Sequence, residues 1–254
     1  MKLHYKVSGH GKPLVILHGL FGSLDNWAGQ TKRLSEHFQV YAVDLRNHGL
    51  SPWSAQMDYP AMRDDLVEFL NDHDLEQILL LGHSMGGKAA MQLALDHPDL
   101  IHKLVIVDIA PVRYSANHND VFKGLFNVDL THIQSRSEAD QALSEYIDET
   151  GVRQFLLKNL YRDHHHFAWR MNLNGLNKSY DDIADAPNSH GHYQGPTMFI
   201  KGGASDYIQE SHRNAIQKYF PNASARIMEG VGHWPHAEKP AAFTKLLLRF
   251  LQQP

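Results

Sequence analysis

Short apolar runs recur along the chain and are separated by polar and turn-forming residues. They occupy residues 14–17, 40–43, 78–81, 104–107, 198–200 and, more weakly, 225–228. A run that is apolar at every position predicts a strand buried on both faces, which is typical of a parallel sheet covered by helices. The N-terminal residues 1–7 instead alternate apolar and polar side chains, which predicts a half-exposed strand.

Helical periodicity lies between these runs. After Asp58, a good N-cap residue, apolar side chains repeat at helical spacing over residues 59–73, with Pro60 in the first turn. Residues 243–251 show the same spacing after Pro240. Strand and helix alternating in this way predict an α/β fold with a doubly wound, mostly parallel sheet, formed by residues 1–254 as a single domain.

One segment interrupts the alternation, at about residues 112–193. It has no strong strand pattern but contains amphipathic helical stretches, including residues 139–147 and 152–160. Because it leaves the sheet after Asp108 and returns before residue 198, it is expected over the carboxyl edge of the sheet, where open α/β sheets bind ligands. We predict a helical lid there; the alternative is a helical extension packed away from the site.

Composition narrows the class of protein. The net charge of −4 comes without any run of Lys or Arg, which argues against nucleic acid as a partner. The chain has no Cys, which excludes disulfides and thiolate chemistry and fits a reducing compartment. No apolar stretch reaches the ~20 residues of a membrane span, and residues 1–7 lack a signal-peptide core, so we expect a soluble, cytoplasmic protein without membrane insertion.

Histidine is unusually frequent, with 19 residues in the chain. Several are clustered, in the run His164, His165 and His166 and in the pair His190 and His192. No carboxylates accompany them at the spacing of a metal site. We therefore interpret the clusters as solvated loops and predict that the protein binds no metal.

A nucleophile motif follows the third apolar run. Residues 82–86 read Gly-His-Ser-Met-Gly and match G-x-S-x-G, between a strand and a small-residue helical segment. This context predicts a nucleophile elbow, a strained strand-to-helix turn that projects Ser84 above the sheet. The Met85 N–H, at the start of the helix, is suited to stabilise a developing oxyanion.

The loop after the first apolar run supplies the second oxyanion donor, for which Leu20 N–H is the candidate. Residues 18–22 read His-Gly-Leu-Phe-Gly, a tight turn able to aim this N–H inward. Leu20 and Ser84 together exclude a dehalogenase, which needs Asn in place of Leu20 and Asp in place of Ser84.

The general base is predicted to be His233. It lies in a glycine-loosened loop after the probable last strand, and the chain order of this fold is Ser, acid, His. His236, beside Glu238, is the near competitor. His233 would take the proton of Ser84 and return it to the leaving group.

Together these motifs resemble the α/β-hydrolase fold family, and more closely the bacterial YbfF-type esterases, over almost the whole chain. The resemblance rests on residues 18–23, 44–51, 82–87, 108–111, 232–234 and 238–240. It implies a serine esterase for short acyl esters, with activity on acyl-CoA thioesters and a small helical cap. Arg46, Asn47 and His48 match the family's structural loop beside the site, not catalytic residues.

The catalytic acid has two candidates, Asp108 and Asp206. Many members of the family carry the acid in the later loop, but aligning their pattern on Ile208 puts Ser205 at the acid's position and displaces Asp206 by one. Asp108 follows a strand that we expect beside that of Ser84, and the resemblance also favours it. We predict Asp108.

The resulting hypothesis is hydrolysis of a small carboxylic ester or acyl thioester through an acyl-enzyme on Ser84, with no cofactor. A cofactor-free perhydrolase or a C–C bond hydrolase would use the same triad, and a non-catalytic ligand-binding protein is a further alternative on this fold. The physiological substrate, the acyl length and the oligomeric state stay open.

Overall fold

A seven-stranded sheet forms the centre of the computed structural model, which describes residues 1–115, 117–164 and 166–253. Its strands are β1 (Tyr5–Ser8), β2 (Pro13–Leu17), β3 (Gln39–Val43), β4 (Ile78–His83), β5 (Ile101–Val107), β8 (Thr197–Gly202) and β9 (Ala223–Met228). Their order is β1-β3-β2-β4-β5-β8-β9. Among the described residues of this sheet, only β1 runs antiparallel to its neighbour, and all other pairs are parallel.

Helices cover both faces of the sheet. The helices of the described residues, including those of the segment between β5 and β8, are α1 (Ala28–Leu34), α2 (Tyr59–Asp72), α3 (Met85–Asp96), α4 (Asn119–Asn127), α5 (Arg136–Ser144), α6 (Thr150–Leu157), α7 (Leu173–Lys178), α8 (Tyr180–Ala184), α9 (Arg213–Tyr219), α10 (Pro235–Glu238) and α11 (Pro240–Leu251). Alternate side chains of the central strands point to opposite faces: Val15 and Leu80 join one core with α2 and α3, and Ile16 and Leu81 join another with α1 and α11. This two-sided burial is why the runs at residues 14–17, 78–81 and 104–107 are apolar at every position.

The predicted α/β-hydrolase fold with a doubly wound sheet is confirmed. The apolar runs all fall within strands, and the alternating N-terminal segment, residues 1–7, overlaps the edge strand β1. Helix α2 begins as the sequence indicates, because the Asp58 side chain accepts a hydrogen bond of 2.7 Å from the Ala61 N–H and Pro60 occupies the first turn.

The segment between β5 and β8 differs from the prediction in part. It contains helices α4 to α8, but also a hairpin of β6 (Leu160–Asp163) and β7 (His166–Trp169), where no strand pattern was recognised. The helix predicted at residues 152–160 ends at Leu157. Burial of Phe167 and Trp169 on one face of β7 gives it the period of two that marks a strand, but over too few residues to stand out.

The histidine-rich stretches lie at the surface. His164, His166, His190 and His192 are exposed, and His165 lies outside the described residues. Within residues 1–115, 117–164 and 166–253, no three His, Cys, Asp or Glu side chains are grouped as metal ligands would be. In the same ranges no helix is both long and apolar enough to cross a membrane.

Candidate active site

Ser84 occupies the sharp turn between β4 and α3. Its backbone has φ 52° and ψ −121°, a conformation that a residue with a side chain rarely adopts, and its N–H donates to the carbonyl oxygen of Val107 at 3.0 Å. Holding a non-glycine residue in this region costs of order 1–3 kcal/mol. The surrounding strands sustain the strain, and the turn leaves the serine side chain partly exposed at the carboxyl edge of the sheet.

Two glycines of the motif make this turn possible by close backbone approach. A Cβ placed on Gly82 would lie 2.2 Å from the carbonyl oxygen of Gly86, and one placed on Gly86 would lie 2.4 Å from the carbonyl oxygen of His18. Neither position has room for a side chain. The close approach of Gly86 to His18 also brings the loop after β2 against the turn that carries Ser84.

Asp108 and His233 are joined by a hydrogen bond. His233 Nδ1 lies 2.8 Å from Oδ2 of Asp108, which is completely buried at the end of β5. Because a carboxylate only accepts, the proton of the neutral ring is on Nδ1, and Nε2 is left with its lone pair as a base. The 19% exposure of the His233 side chain leaves it accessible from the site.

Three donors converge on the Asp108 carboxylate. The Gly202 N–H donates to Oδ1 at 2.9 Å, while the Ser205 hydroxyl and His233 both donate to Oδ2. Asp206, the other candidate acid, is exposed, and none of the described contacts joins its carboxylate to His233. The structure therefore brings Asp108 and His233 together and leaves Asp206 outside.

Three further side chains hold the His233 loop, and the sequence did not indicate them as site residues. His83 Nε2 donates to the carbonyl oxygen of His233 at 2.8 Å, and the Tyr207 ring stacks on the imidazole with centroids 4.1 Å apart. The Glu238 carboxylate accepts from the N–H groups of Gly232 and Trp234 at 2.8 and 3.2 Å. His83 could have been recognised as a site residue from its position directly before Ser84. Tyr207 has no such signal in the sequence.

Two backbone N–H groups are available next to Ser84. Leu20 and Met85 line the same narrow cavity as Ser84, which has a volume of about 40 Å³. Within the described residues, neither the Leu20 nor the Met85 N–H donates a hydrogen bond. The Met85 N–H is the first of helix α3, where the helix dipole adds partial positive charge.

His236, the competitor of His233, has a different environment. It is buried, stacks on Trp27 with ring centroids 4.2 Å apart, and burial lowers its pKa to about 3. Its Nδ1 has no hydrogen-bond partner among the described residues, so no carboxylate orients it. This placement makes His236 part of the packing behind the site.

Two more buried histidines fix the loops that border the site. His18 Nε2 accepts from the Leu45 N–H at 3.0 Å, and His48 Nε2 accepts from the Phe21 N–H at 3.2 Å. A ring nitrogen that accepts cannot carry a proton, and burial lowers the pKa of His18 to about 4 and that of His48 to about 3. The contacts of His48 agree with a structural role for residues 46–48.

These neutral histidines predict that acid weakens the fold. An unfolded histidine has a pKa near 6.5, so between about pH 6.5 and pH 4 the unfolded chain binds protons that folded His18, His48 and His236 do not. The contribution of these histidines to the free energy of unfolding is complete above pH 6.5. It decreases as the pH falls, by up to about 1.4 kcal/mol per pH unit for each histidine. Urea unfolding at pH 7 and pH 5 measures this loss.

A substitution separates this effect from general acid sensitivity. His236→Phe keeps an aromatic ring against Trp27 and removes one titrating group, so it should reduce the pH slope of the unfolding free energy. His190→Ala, at an exposed position, should leave the slope unchanged. A slope that is the same for the parent and for His236→Phe would contradict the assignment.

Comparisons with known proteins agree with this architecture. The family profile described as alpha/beta hydrolase fold matches residues 12–240. Esterase YbfF of Escherichia coli K12 is 40% identical over 243 residues, 95% of this chain and 94% of its own. The sn-1-specific diacylglycerol lipase ABHD11 of Mus musculus is 41% identical over 246 residues, 94% of this chain and 80% of its own.

A solved structure, described as a marine microorganism esterase, superposes with a TM-score of 0.95 at 39% identity, covering 98% of this chain and 99% of its own. The chain therefore belongs to the α/β hydrolase fold family, and to its esterase and lipase type.

Proposed function

We propose that the protein hydrolyses carboxylic esters with Ser84, His233 and Asp108 as its catalytic triad. The observation that carries the proposal is the hydrogen bond from His233 Nδ1 to Asp108, at the carboxyl edge of the sheet where the strained turn presents Ser84. It fixes the tautomer whose Nε2 accepts the serine proton.

The reaction proceeds in two halves. His233 removes the proton of the Ser84 hydroxyl as its oxygen attacks the ester carbonyl, and the protonated imidazole then gives that proton to the leaving alcohol. Water repeats the sequence on the acyl-enzyme and releases the acid. Asp108 stabilises the imidazolium in both halves through its charge.

The carbonyl oxygen carries the negative charge of each tetrahedral intermediate, and we assign the N–H groups of Leu20 and Met85 as its oxyanion hole. The residues Leu20 and Met85 line the cavity that holds Ser84, and their N–H groups donate no hydrogen bond among the described contacts. Donors fixed before the reaction need no reorganisation as the charge develops, which is worth about 10²- to 10³-fold in rate per donor.

The segment between β5 and β8 acts in this proposal as a lid. It contributes His118, Tyr180 and Ile183 to the wall of the narrow cavity that Ser84 also lines. Such walls limit which acyl groups fit. A thioester has the same carbonyl geometry and a better leaving group, so acyl thioesters, including acyl-CoA, belong to the proposed substrates.

A serine-directed reagent tests the proposal independently of the natural substrate. An alkyl fluorophosphonate should label the protein once, at Ser84, because only an activated serine attacks the phosphorus. Mass spectrometry of the digested protein locates the adduct. His233→Ala should abolish labelling while circular dichroism shows the same fold; labelling at another serine, or equal labelling without His233, would contradict the triad.

A further inference from the structure

Lys88 is a buried lysine on α3, the helix that begins at the nucleophile. It is 2% exposed and lines the narrow cavity together with Ser84. Among the ion pairs of the described residues none includes Lys88, and the Asp185 carboxylate pairs with Arg113 instead, at 3.4 Å. A charge buried without a paired carboxylate is costly unless fixed polar groups replace its water. The groups that replace this water therefore show what the lysine holds.

Two backbone carbonyls of the lid take the place of the water. Lys88 Nζ donates to the carbonyl oxygen of Ala184 at 2.9 Å and to that of Asp185. Both carbonyls lie at the C-terminal end of α8, where the helix dipole adds partial negative charge. The ammonium group thus joins the nucleophile helix to a lid helix 96 positions further along the chain.

Two tyrosines complete this attachment. Lys88 Nζ lies 4.7 Å from the ring centroid of Tyr114 and 5.6 Å from that of Tyr59, close enough for cation–π attraction. The Tyr59 hydroxyl donates to the carbonyl oxygen of Ile183, and the Tyr114 N–H donates to that of Ala184 at 2.9 Å. Of the three residues that hold the end of α8 in this way, Lys88 alone can carry a charge at neutral pH.

Helix α8 forms one wall of the narrow cavity. Its residues Tyr180, Ile183 and Ala184 line this cavity with Ser84 and Lys88. Because the cavity has a volume of only about 40 Å³, a small movement of α8 changes the space beside the nucleophile substantially. A misplacement of about 1 Å at a reacting group can cost about 10²-fold in rate.

We propose that Lys88 is a positioning residue, whose ammonium group holds α8 against α3 and thereby sets the lid wall of the cavity in which Ser84 reacts. The proposal rests on the proposed ester hydrolysis. Lys88 takes no part in proton transfer; it acts through the shape of the cavity.

The charge of Lys88 makes this attachment depend on pH. Burial lowers the pKa of Lys88 to about 7, so in the folded protein the ammonium group loses its proton above neutral pH. A neutral amine donates weaker hydrogen bonds to the carbonyls and is no longer attracted to the negative end of the helix dipole. The lid wall is therefore held most firmly on the acid side of pH 7 and less firmly on the alkaline side.

The other titratable groups around Lys88 keep their charge state between pH 6.5 and pH 9. Burial raises the pKa of the four tyrosines that line the narrow cavity, which are Tyr59, Tyr114, Tyr180 and Tyr207. Burial lowers the pKa of His118, in the same cavity, to about 4, so its ring is neutral as well. Asp185 and Arg113 pair with each other, and neither type of side chain changes charge in this range.

Lys88→Met tests the proposal on the full-length protein. Methionine has a similar length and donates no hydrogen bond, and removing a buried charge favours folding, which circular dichroism checks. The measurement is kcat/KM for p-nitrophenyl acetate, expressed as the ratio of parent to variant, which cancels the titration of His233 common to both proteins. We expect a ratio of about tenfold or more at pH 6.5 that falls towards one at pH 9, as the parent loses the charge of Lys88.

The change of this ratio with pH separates the proposal from a merely structural role. A ratio near one at pH 6.5, or a larger ratio that stays constant up to pH 9, would overturn it. Lys88→Gln, which keeps a neutral donor in place of the charge, should give the same trend and serves as the second variant.

Two control variants change neither the cavity nor its charge. Lys123→Met replaces an exposed lysine of α4 that lies outside the narrow cavity and should keep the parent values at every pH. Gln92→Leu cuts a neutral attachment of α3, in which the amide donates to the Asn188 carbonyl oxygen at 3.0 Å. Its kcat/KM should keep a constant ratio to that of the parent, because no charge is lost.

The failures of the two proposals are distinguishable. If the fluorophosphonate labels Ser84 and the ester is hydrolysed, but the ratio for Lys88→Met does not change with pH, only the role of Lys88 is wrong. If Ser84 is not labelled and no ester is hydrolysed, the proposed function fails as well.

Discussion

Replacing Ser84 with alanine should lower kcat for p-nitrophenyl acetate by about 10⁴- to 10⁶-fold. His233→Ala should lower it by a similar factor, because the hydroxyl without its base is a weak nucleophile. The double variant should be little worse than either single one, since the two side chains act in the same step. Steady-state kinetics of the three variants gives the comparison.

Matched controls use residues of the same type outside the site. Ser137→Ala and His190→Ala, both at exposed positions, should keep parent activity. Losses that multiply in the double variant of Ser84 and His233 would show that the two residues contribute independently, which a proton transfer between them does not allow.

Asp108→Asn should keep the fold and lower kcat by up to about 10⁴-fold. The reason is specific to the contacts of this carboxylate. The Gly202 N–H must face an oxygen at the Oδ1 position, so the amide nitrogen of the new side chain is directed to the position of Oδ2, facing His233 Nδ1. Nδ1 must then accept, and the proton moves to Nε2, where the base is needed.

Asp206→Asn is the matched control, with the same chemical change two residues before the aliphatic Ile208. Its side chain is exposed, so activity should stay near that of the parent. Kinetics of both variants with circular dichroism decides between the carboxylates. Large loss in Asp206→Asn with little loss in Asp108→Asn would move the acid role to Asp206.

Residues that act through contacts between several loops were the hardest to predict from the sequence. His83, Tyr207 and Glu238 hold the His233 loop through contacts with a carbonyl, a ring face and two amides. These contacts leave no period in the sequence, although His83 lies within the 82–86 motif and Glu238 within residues 238–240. The hairpin of β6 and β7 was missed for a related reason, since four residues per strand carry too little alternation to be recognised.

The sequence by itself determined the features whose signal is local. Apolar runs and helical periods specify the sheet and its helices, and the strand, glycine turn and helix around Ser84 all lie within about a dozen consecutive residues, so Ser84 could be singled out directly. The role of His233 as general base was predicted from its position in the loop after the last strand. These features depend on near neighbours in the chain.

The sequence favoured Asp108 over Asp206, but only the tertiary structure shows the contact of its carboxylate with His233 and the position of the cavity beside Ser84. Asp108 and His233 are 125 positions apart, and their contact depends on β5 and β8 being neighbours in the sheet, so that Gly202 and Ser205 also donate to Asp108. Asp206 is close in sequence to these donors but points to solvent. Successive side chains along a strand point in opposite directions, and the turns of a loop change the direction again. A shift of one residue, as between Ser205 and Asp206, is therefore enough to separate a buried partner of Asp108 from an exposed side chain.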